Sequence, residues 1–179
     1  MRKKSGYFQC VTVRRCSSSL SRGHLEAGNR LIPCALGRNG MTASTLEGDG
    51  ATPIGDYRFL RAFYRPDREK PRPTGLPLDR ITPDFGWCDA PDDGNYNRAV
   101  KLPYPASHEK MYREDRLYDW CLLFDQNYSQ RMRNRGSAIF FHVAREDFAP
   151  TQGCIAIQPK DMHWLIGRIG PATRLVIRA

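Results

Sequence analysis

The sequence predicts a mainly β fold with one helix near the C-terminus and a long proline-rich insert. Its 15 Gly and 13 Pro are more than a helical bundle tolerates, and they favour short strands joined by turns. Hydrophobic residues make up 40% of the 179 residues, which indicates one folded domain over 1–179 rather than a disordered chain. No run approaches the roughly 18 apolar residues that a transmembrane helix needs.

Segments in which apolar residues alternate with polar ones or form a continuous run predict the individual strands. Strands are expected at residues 8–13, 30–36, 117–125, 137–143, 154–157 and 174–178, and another is expected to end near Tyr64 after a glycine-rich stretch that begins at Glu47. The Ser/Gly-rich stretch between the first two strands is expected to form turns. The one convincing helix is 161–169, which Gly170-Pro171 would terminate. Met162, Leu165, Ile166 and Ile169 share one face of it.

Residues 65–105 stand apart because they are rich in Pro, Asp, Arg and Gly and show hardly any periodicity. Forty such residues inside a compact domain are more often a functional lid or a binding loop than padding. Trp87 and Tyr96 indicate ordered pieces within it, since large aromatic side chains favour burial. We therefore expect an inserted lid or substrate-binding loop.

The charge balance is strongly basic, with 28 Lys and Arg against 19 Asp and Glu and a formal net charge of +9. Such a chain is attracted to anionic wall polymers and to nucleic acid alike, so charge alone identifies no partner. Arg131, Arg133 and Arg135 fit a solvated basic loop better than a carboxylate clamp. Because no helix-turn-helix or RNA-binding signature is present, we expect no nucleic-acid partner.

The six cysteines show no CxxC pair and no zinc-ligand spacing with histidine, so no metal site is expected. They would be free thiols in the cytosol, whereas export would allow up to three disulfides of unknown connectivity. The basic start at 1–5 resembles the first part of a secretory signal. Gln9 and Thr12 break the apolar run that should follow it, so no signal peptide is expected in this chain.

His142 and Cys154 are the candidate catalytic pair. His142 ends a predicted buried strand, and Cys154 follows twelve residues later, after Gly153. A thiol becomes a strong nucleophile when a neighbouring imidazole takes its proton. The preceding glycine lets the turn expose backbone N–H groups beside the sulfur, which an oxyanion hole requires. A buried structural cysteine and a core histidine are the alternative explanation.

Three segments in a fixed order resemble the L,D-transpeptidase catalytic domain of the YkuD family: Thr52-Pro53-Ile54-Gly55, His142, and Thr151-Gln152-Gly153-Cys154. The resemblance implies an L,D-transpeptidase-like β-sandwich or barrel. It implies that Cys154 attacks a carbonyl at the third residue of a peptidoglycan stem peptide and forms a thioester. An amine of a second stem then resolves this thioester, which makes a cross-link at diaminopimelate. It implies no cofactor, and it implies that the Val143 main chain orients His142.

The sequence also departs from the family pattern. Gln152 stands where the family usually has histidine, and Ala156 stands where it usually has a polar residue. The loop from His142 to Cys154 is shorter than usual, and the insert goes beyond the minimal domain. These differences indicate a divergent branch with an altered substrate preference.

Further site residues are expected around the pair. The Gly153 and Cys154 amides, with Gln152, are the candidates for the oxyanion hole. A groove for the stem peptide would be lined by Trp87, Asp89, Tyr96, Asn97, Arg98 and Thr151. For the residues of the insert, packing onto the sheet is an equally good explanation. His24, His108 and His163 are expected to be structural or exposed.

Two other functions stay open at this level. Water in place of the acceptor amine would give an L,D-carboxypeptidase of peptidoglycan maturation or recycling, and a non-catalytic wall-binding module would use Cys154 only for packing. A transpeptidase would act in the periplasm or cell envelope, whereas a recycling carboxypeptidase would act in the cytoplasm. The sequence leaves the oligomeric state open.

Overall fold

The computed structural model describes residues 6–179, so the basic start at 1–5 that was weighed as a signal sequence lies outside the described residues. The described part contains fourteen strands and one helix. They are β1 Cys10–Arg15, β2 Arg22–Ala27, β3 Arg30–Ala35, β4 Met41–Thr42, β5 Thr52–Pro53, β6 Gly55–Tyr64, β7 Leu78–Arg80, β8 Phe85–Cys88, β9 Arg98–Lys101, β10 His108–Lys110, β11 Trp120–Phe124, β12 Phe140–Val143, β13 Ile155–Ile157, α1 Pro159–Ile166 and β14 Arg174–Arg178.

Eight strands form a sheet that closes on itself in the order β11-β12-β13-β3-β2-β1-β14-β6. The long strand β6 makes the closure possible, because its first residues pair with β14 while Phe59–Tyr64 pair with β11. Two pairs in the ring are parallel, β12 with β13 and β1 with β14. Closure removes the exposed edges of these eight strands. The expected mainly β barrel-like or sandwich-like fold with one helix is confirmed.

The main core lies on one face of this sheet. Alternate residues of the strands point into it, among them Phe141, Val143 and Ile155, and all are buried. Helix α1 packs Met162, Leu165 and Ile166 into the same core. The helix begins at Pro159, a favoured first helical residue, and ends before Gly167. It is therefore displaced by two to three residues from the predicted 161–169, and its predicted buried face is present.

A second core lies on the opposite face of the same strands. Because successive side chains of a strand alternate between faces, Phe140 and His142 of β12 point away from the main core. A three-stranded sheet in the order β10-β8-β9 covers this face, with β8 and β9 from the insert and β10 from the segment that follows it. Its apolar members are Phe63, Ile81, Trp87, Met111, Tyr118, Cys121, Leu123, Phe140 and Cys154. Cys154 and His142 thus lie on the face that the insert covers.

Two parts of the chain differ from their prediction. The stretch expected to form turns before β3 contains β2, in which Gly23, Leu25 and Ala27 are the buried positions. Small residues at two of three buried positions give too weak a hydrophobic alternation for a strand prediction. The insert, for which only ordered pieces were expected, contains the strands β7, β8 and β9. All seven predicted strands are present, with ends displaced by up to three residues.

Some features are absent from residues 6–179. No helix there is long and apolar enough to cross a bilayer. No group of three or more His, Cys, Asp or Glu side chains is placed to hold a metal ion. All six cysteines are free thiols.

A substitution at Gly23 tests the close approach of β2 to β1. A Cβ at Gly23 would collide with the carbonyl oxygen of Arg14 and lie 2.8 Å from a methyl group of Leu36. We expect Gly23→Ala to lower the free energy of unfolding by about 1–3 kcal/mol, as overpacking does, measured by urea denaturation. Gly94→Ala is the control, because a Cβ there meets nothing within 4 Å. Equal stability of the two variants would contradict the tight packing of β2.

Candidate active site

Cys154 lies immediately before β13, beside the start of β12. Its Sγ accepts a hydrogen bond from the Phe140 amide at 3.2 Å and donates one to the Ala138 carbonyl at 3.4 Å. The preceding residue, Gly153, has φ +121°, a conformation that side-chain-bearing residues rarely adopt. A Cβ there would also lie 2.9 Å from the Ala51 carbonyl oxygen. Glycine is therefore required for the turn that presents the thiol.

His142 lies in β12 and is 5% exposed. Its Nδ1 lies 2.8 Å from the carbonyl oxygen of Val143. Because a carbonyl can only accept a hydrogen bond, Nδ1 carries the proton, and Nε2 of the neutral ring is an unprotonated base. This is the main-chain contact that the family resemblance implies for Val143. The Tyr118 ring packs edge-on against the imidazole at 5.3 Å between centroids.

The parallel pairing of β12 with β13 brings His142 and Cys154 together. His142 pairs with Ala156, and Cys154 is two residues before Ala156, so all three share one face. Both candidate catalytic side chains line the same cavity. Among residues 6–179, no hydrogen bond joins the thiol to the imidazole, since Ala138 holds the thiol proton. Proton transfer to Nε2 therefore requires the thiol to leave the Ala138 carbonyl.

Burial decides the protonation of both groups. It raises the pKa of Cys154 to about 12, against the opposing effect of the Phe140 amide. It lowers the pKa of His142 to about 4, against the opposing effect of the Val143 carbonyl. At pH 7 the thiol is therefore protonated and the imidazole is neutral. The pair is suited to transfer the proton as the sulfur attacks, rather than to hold a resting thiolate.

The turn before Cys154 is braced by Thr151. The Thr151 hydroxyl donates to the Cys154 carbonyl at 2.6 Å and accepts from the Gly153 amide at 3.2 Å. The Gly153 N–H predicted for the oxyanion hole is thus engaged within the turn. Gln152 is exposed and lines the cavity.

The Thr-Pro-Ile-Gly segment supports this turn from behind. Thr52 is fully buried, and its hydroxyl accepts a hydrogen bond from the Gly37 amide at 2.8 Å. Gly37 forms a bridge with Thr151, and the Arg38 amide donates to the Thr151 carbonyl at 2.9 Å. The segment that resembles the family motif far upstream therefore positions the turn that carries Cys154.

The residues predicted to bind the stem peptide separate into two groups. Asp89 and Thr151 line the cavity that contains Cys154. The other four do not line this cavity, and they pack the insert onto the sheet, which is the second explanation that the sequence allowed for them. Trp87, Tyr96 and Asn97 are no more than 2% exposed, and Arg98 stacks its guanidinium on the Tyr128 ring.

Asn97 connects the insert to the nucleophile. Its Oδ1 accepts from Nε1 of Trp87 at 2.9 Å and from the Ala138 amide at 3.2 Å. Ala138 has φ +51°, a conformation that costs energy for a residue with a side chain and needs support from its surroundings. The Ala138 carbonyl is the group that holds the Cys154 thiol. The insert therefore helps to set the conformation of the Cys154 side chain.

The cavity around the pair has a volume of about 480 Å³. Four carboxylates, from Glu47, Asp49, Asp89 and Glu109, line it together with the guanidinium groups of Arg113 and Arg145. Glu109 accepts hydrogen bonds from Tyr118 and Arg113, both at 3.0 Å.

Sequence reasoning found only Asp89 among these charged groups. The two glutamates, Glu47 and Glu109, lie 62 positions apart in segments of no recognisable motif. No spacing rule points to them, so their shared location depends on the fold.

Comparison with known proteins identifies the family to which this chain belongs. The model of the L,D-transpeptidase catalytic domain (YkuD) matches residues 20–177, and no curated protein matches the chain. One similar solved structure is that of L,D-transpeptidase 1 from Mycobacterium tuberculosis, with 12% sequence identity and a TM-score of 0.40. The alignment covers 94% of this chain and 61% of that chain. Because the family model spans most of its length, this chain belongs to the L,D-transpeptidase catalytic domain (YkuD) family.

Proposed function

We propose that this protein is a cysteine L,D-transpeptidase that acts on peptidoglycan stem peptides through a thioester acyl-enzyme and forms cross-links at diaminopimelate. The observation that carries the proposal is that Cys154 and His142 line one cavity, with the imidazole oriented by Val143. Membership of the L,D-transpeptidase family supports this choice of substrate. The cell envelope is the site of action that accompanies cross-linking.

In the first step, Sγ of Cys154 attacks the carbonyl carbon that links the third stem residue to the following D-residue. Nε2 of His142 takes the thiol proton as the sulfur–carbon bond forms. The tetrahedral intermediate then collapses, the carbon–nitrogen bond breaks, and His142 returns the proton to the leaving amine. A thioester and a released D-amino acid are the products, and His142 is neutral again.

In the second step, an amine of another stem attacks the thioester carbonyl. His142 takes a proton from this amine, and the departing sulfur receives it when the carbon–sulfur bond breaks. The product is an amide cross-link, and the free thiol is restored. With water in place of the amine, the same steps release a shortened stem peptide, which is the carboxypeptidase alternative.

The function is tested by Cys154→Ala. We expect this variant to form no thioester and no product, because Cys154 is the one cysteine among the described residues that line the cavity. Purified muropeptides are incubated with the protein, and both the protein and the peptides are weighed by mass spectrometry. Cys10→Ala is the control, since Cys10 is exposed and distant in the fold.

The peptide masses separate the possible functions. Cross-linked dimers support the transpeptidase, whereas shortened monomers alone support the carboxypeptidase. A Cys154→Ala variant with parental turnover would exclude both, and a parent protein that binds muropeptides without changing them would be a wall-binding module.

The role of His142 is tested by the pH dependence of thioester formation. Both pKa values, about 4 for His142 and about 12 for Cys154, lie outside the range of pH 5–9. The acylation rate of the parent should therefore be nearly constant there and should fall only as the pH drops towards 4, where the imidazole becomes protonated.

His142→Gln should remove this plateau. Without a general base the rate is expected to fall by about 10²–10⁴ at pH 7. The remaining rate should rise about tenfold per pH unit, because it depends on the small thiolate fraction below a thiol pKa of about 12. His108→Gln is the control, since His108 lies outside the cavity residues. A His142→Gln variant with the parental rate and plateau would show that His142 is structural.

A further inference from the structure

The main chain of Ala138 joins the insert to the Cys154 thiol. Its amide donates a hydrogen bond to Oδ1 of Asn97 at 3.2 Å, and its carbonyl accepts one from the thiol at 3.4 Å. Within residues 6–179, the Ala138 main chain makes no other hydrogen bond. Asn97 belongs to the insert and Cys154 lies immediately before β13, so one residue connects these two parts of the fold.

Asn97 is a fixed anchor for this connection. Its Oδ1 also accepts from Nε1 of Trp87 at 2.9 Å, and its Nδ2 donates to the carbonyls of Asn127 at 3.0 Å and Gln126 at 3.4 Å. The two lone pairs of the amide oxygen and the two N–H donors are thus all engaged. Its backbone has φ +55°, in a region that asparagine adopts more readily than most residues.

Ala138 has a backbone conformation that needs this support. Its φ of +51° lies in the left-handed region, where a residue with a Cβ is strained. Without the bond to Asn97, we expect φ to return to negative values. That change would rotate the Ala138 carbonyl relative to its amide and move the oxygen away from Sγ of Cys154. The bond to Asn97 therefore keeps the carbonyl on the thiol.

The Ala138 carbonyl stabilises the protonated form of Cys154. A carbonyl can only accept a hydrogen bond, and only the neutral thiol has an S–H to donate, so this contact opposes ionisation. It acts in the same direction as burial, which raises the pKa of Cys154 to about 12. The thiol proton lies on the Ala138 carbonyl and not on Nε2 of His142. The thiol is therefore held in a resting orientation.

We propose that Asn97 is a positioning residue for Cys154, which acts through the Ala138 main chain and holds the thiol on the Ala138 carbonyl instead of on Nε2 of His142. The proposal rests on the proposed function only for the role of Cys154 as the nucleophile. Asn97 is not among the residues that line the cavity, so it acts on the thiol and not on the substrate.

Alkylation of Cys154 by iodoacetamide measures this hold without any peptide, because the thiolate is the reacting form. Trypsin releases the fragment 146–160, in which Cys154 is the only cysteine, so its alkylation is followed separately by mass spectrometry. Asn97→Gly removes the side chain, and glycine tolerates the positive φ at this position. We expect it to raise the rate of Cys154 alkylation at pH 8 about 2- to 10-fold, as for the loss of one hydrogen bond to the neutral thiol.

Asn95→Gly is the matched control. Asn95 is an exposed residue of the same turn of the insert, and its side chain donates to the Tyr104 hydroxyl at 2.9 Å. Because this bond has no connection to Ala138, the alkylation rate of Cys154 should stay at the parental value. Thermal melting of each variant shows whether it is folded.

Ala138→Gly separates positioning from packing. Glycine adopts the left-handed conformation without support, so in the Ala138→Gly protein the substitution Asn97→Gly should raise alkylation less than about twofold. If Asn97 only packs the insert onto the sheet, its loss has the same effect in both backgrounds. An equal increase in both backgrounds, or no increase in the parent background, overturns the proposal.

Hydrogen exchange in the parent protein provides a test that needs no variant, in case Asn97→Gly does not fold. After correction for intrinsic rates, the Ala138 amide should exchange about tenfold or more slowly than the Gly94 amide. Gly94 is exposed, and its amide has no partner within residues 6–179. Exchange of the Ala138 amide as fast as that of Gly94 overturns the proposal.

Failure of the positioning role and failure of the proposed function give different results. Alkylation uses no peptide, so rescue by Ala138→Gly supports the positioning role even if the parent forms no thioester with muropeptides, a result that would overturn the transpeptidase function alone. Thioester formation by the parent, together with alkylation that is insensitive to Asn97→Gly, overturns the positioning role alone.

Discussion

The parallel pairing of β12 with β13 is the constraint on which the rest of the site depends. It places His142 beside Ala156 and so sets Cys154 on the same face. The alternation of side chains in β12 sends Phe141 and Val143 into the main core and leaves His142 on the other face. A shift of this register by one residue would move the imidazole into the main core. The apolar packing that stabilises the sheet therefore also holds His142 and Cys154 on one face.

Burial has two opposing effects on the pair. It keeps the thiol protonated and the imidazole neutral, which disfavours a resting thiolate. The same exclusion of water strengthens each electrostatic interaction that forms during attack. The Val143 carbonyl fixes the ring so that Nε2 is the base. In the proposed reaction the thiol proton is therefore transferred during the attack, which requires the two side chains to approach each other.

The elements that the sequence predicts are those in which the local pattern of apolar residues agrees with the burial of those residues in the fold. Strand β14 and the positions of His142 and Cys154 follow from apolar runs and from one short motif. Strand β2 was missed because its buried positions are partly glycine and alanine. For Trp87 and Asn97 the sequence left a groove and packing as equal explanations, because an irregular segment does not show which side chains point inward. Glu109 was missed because only the pairing of β10 with β8 brings it to the cavity that contains Cys154.

The insert links the shape of the site to its charge. Through Asn97 it supports Ala138, the residue whose carbonyl holds the thiol. Asp89 of the insert and Glu109 of β10 supply negative charge to the same cavity. A change in the insert that repacks Trp87 would therefore alter the thiol's hydrogen bond as well as the surroundings of the carboxylates. The conformation of the Cys154 side chain and the charge of the cavity are consequently coupled, because one covering sheet contributes to both.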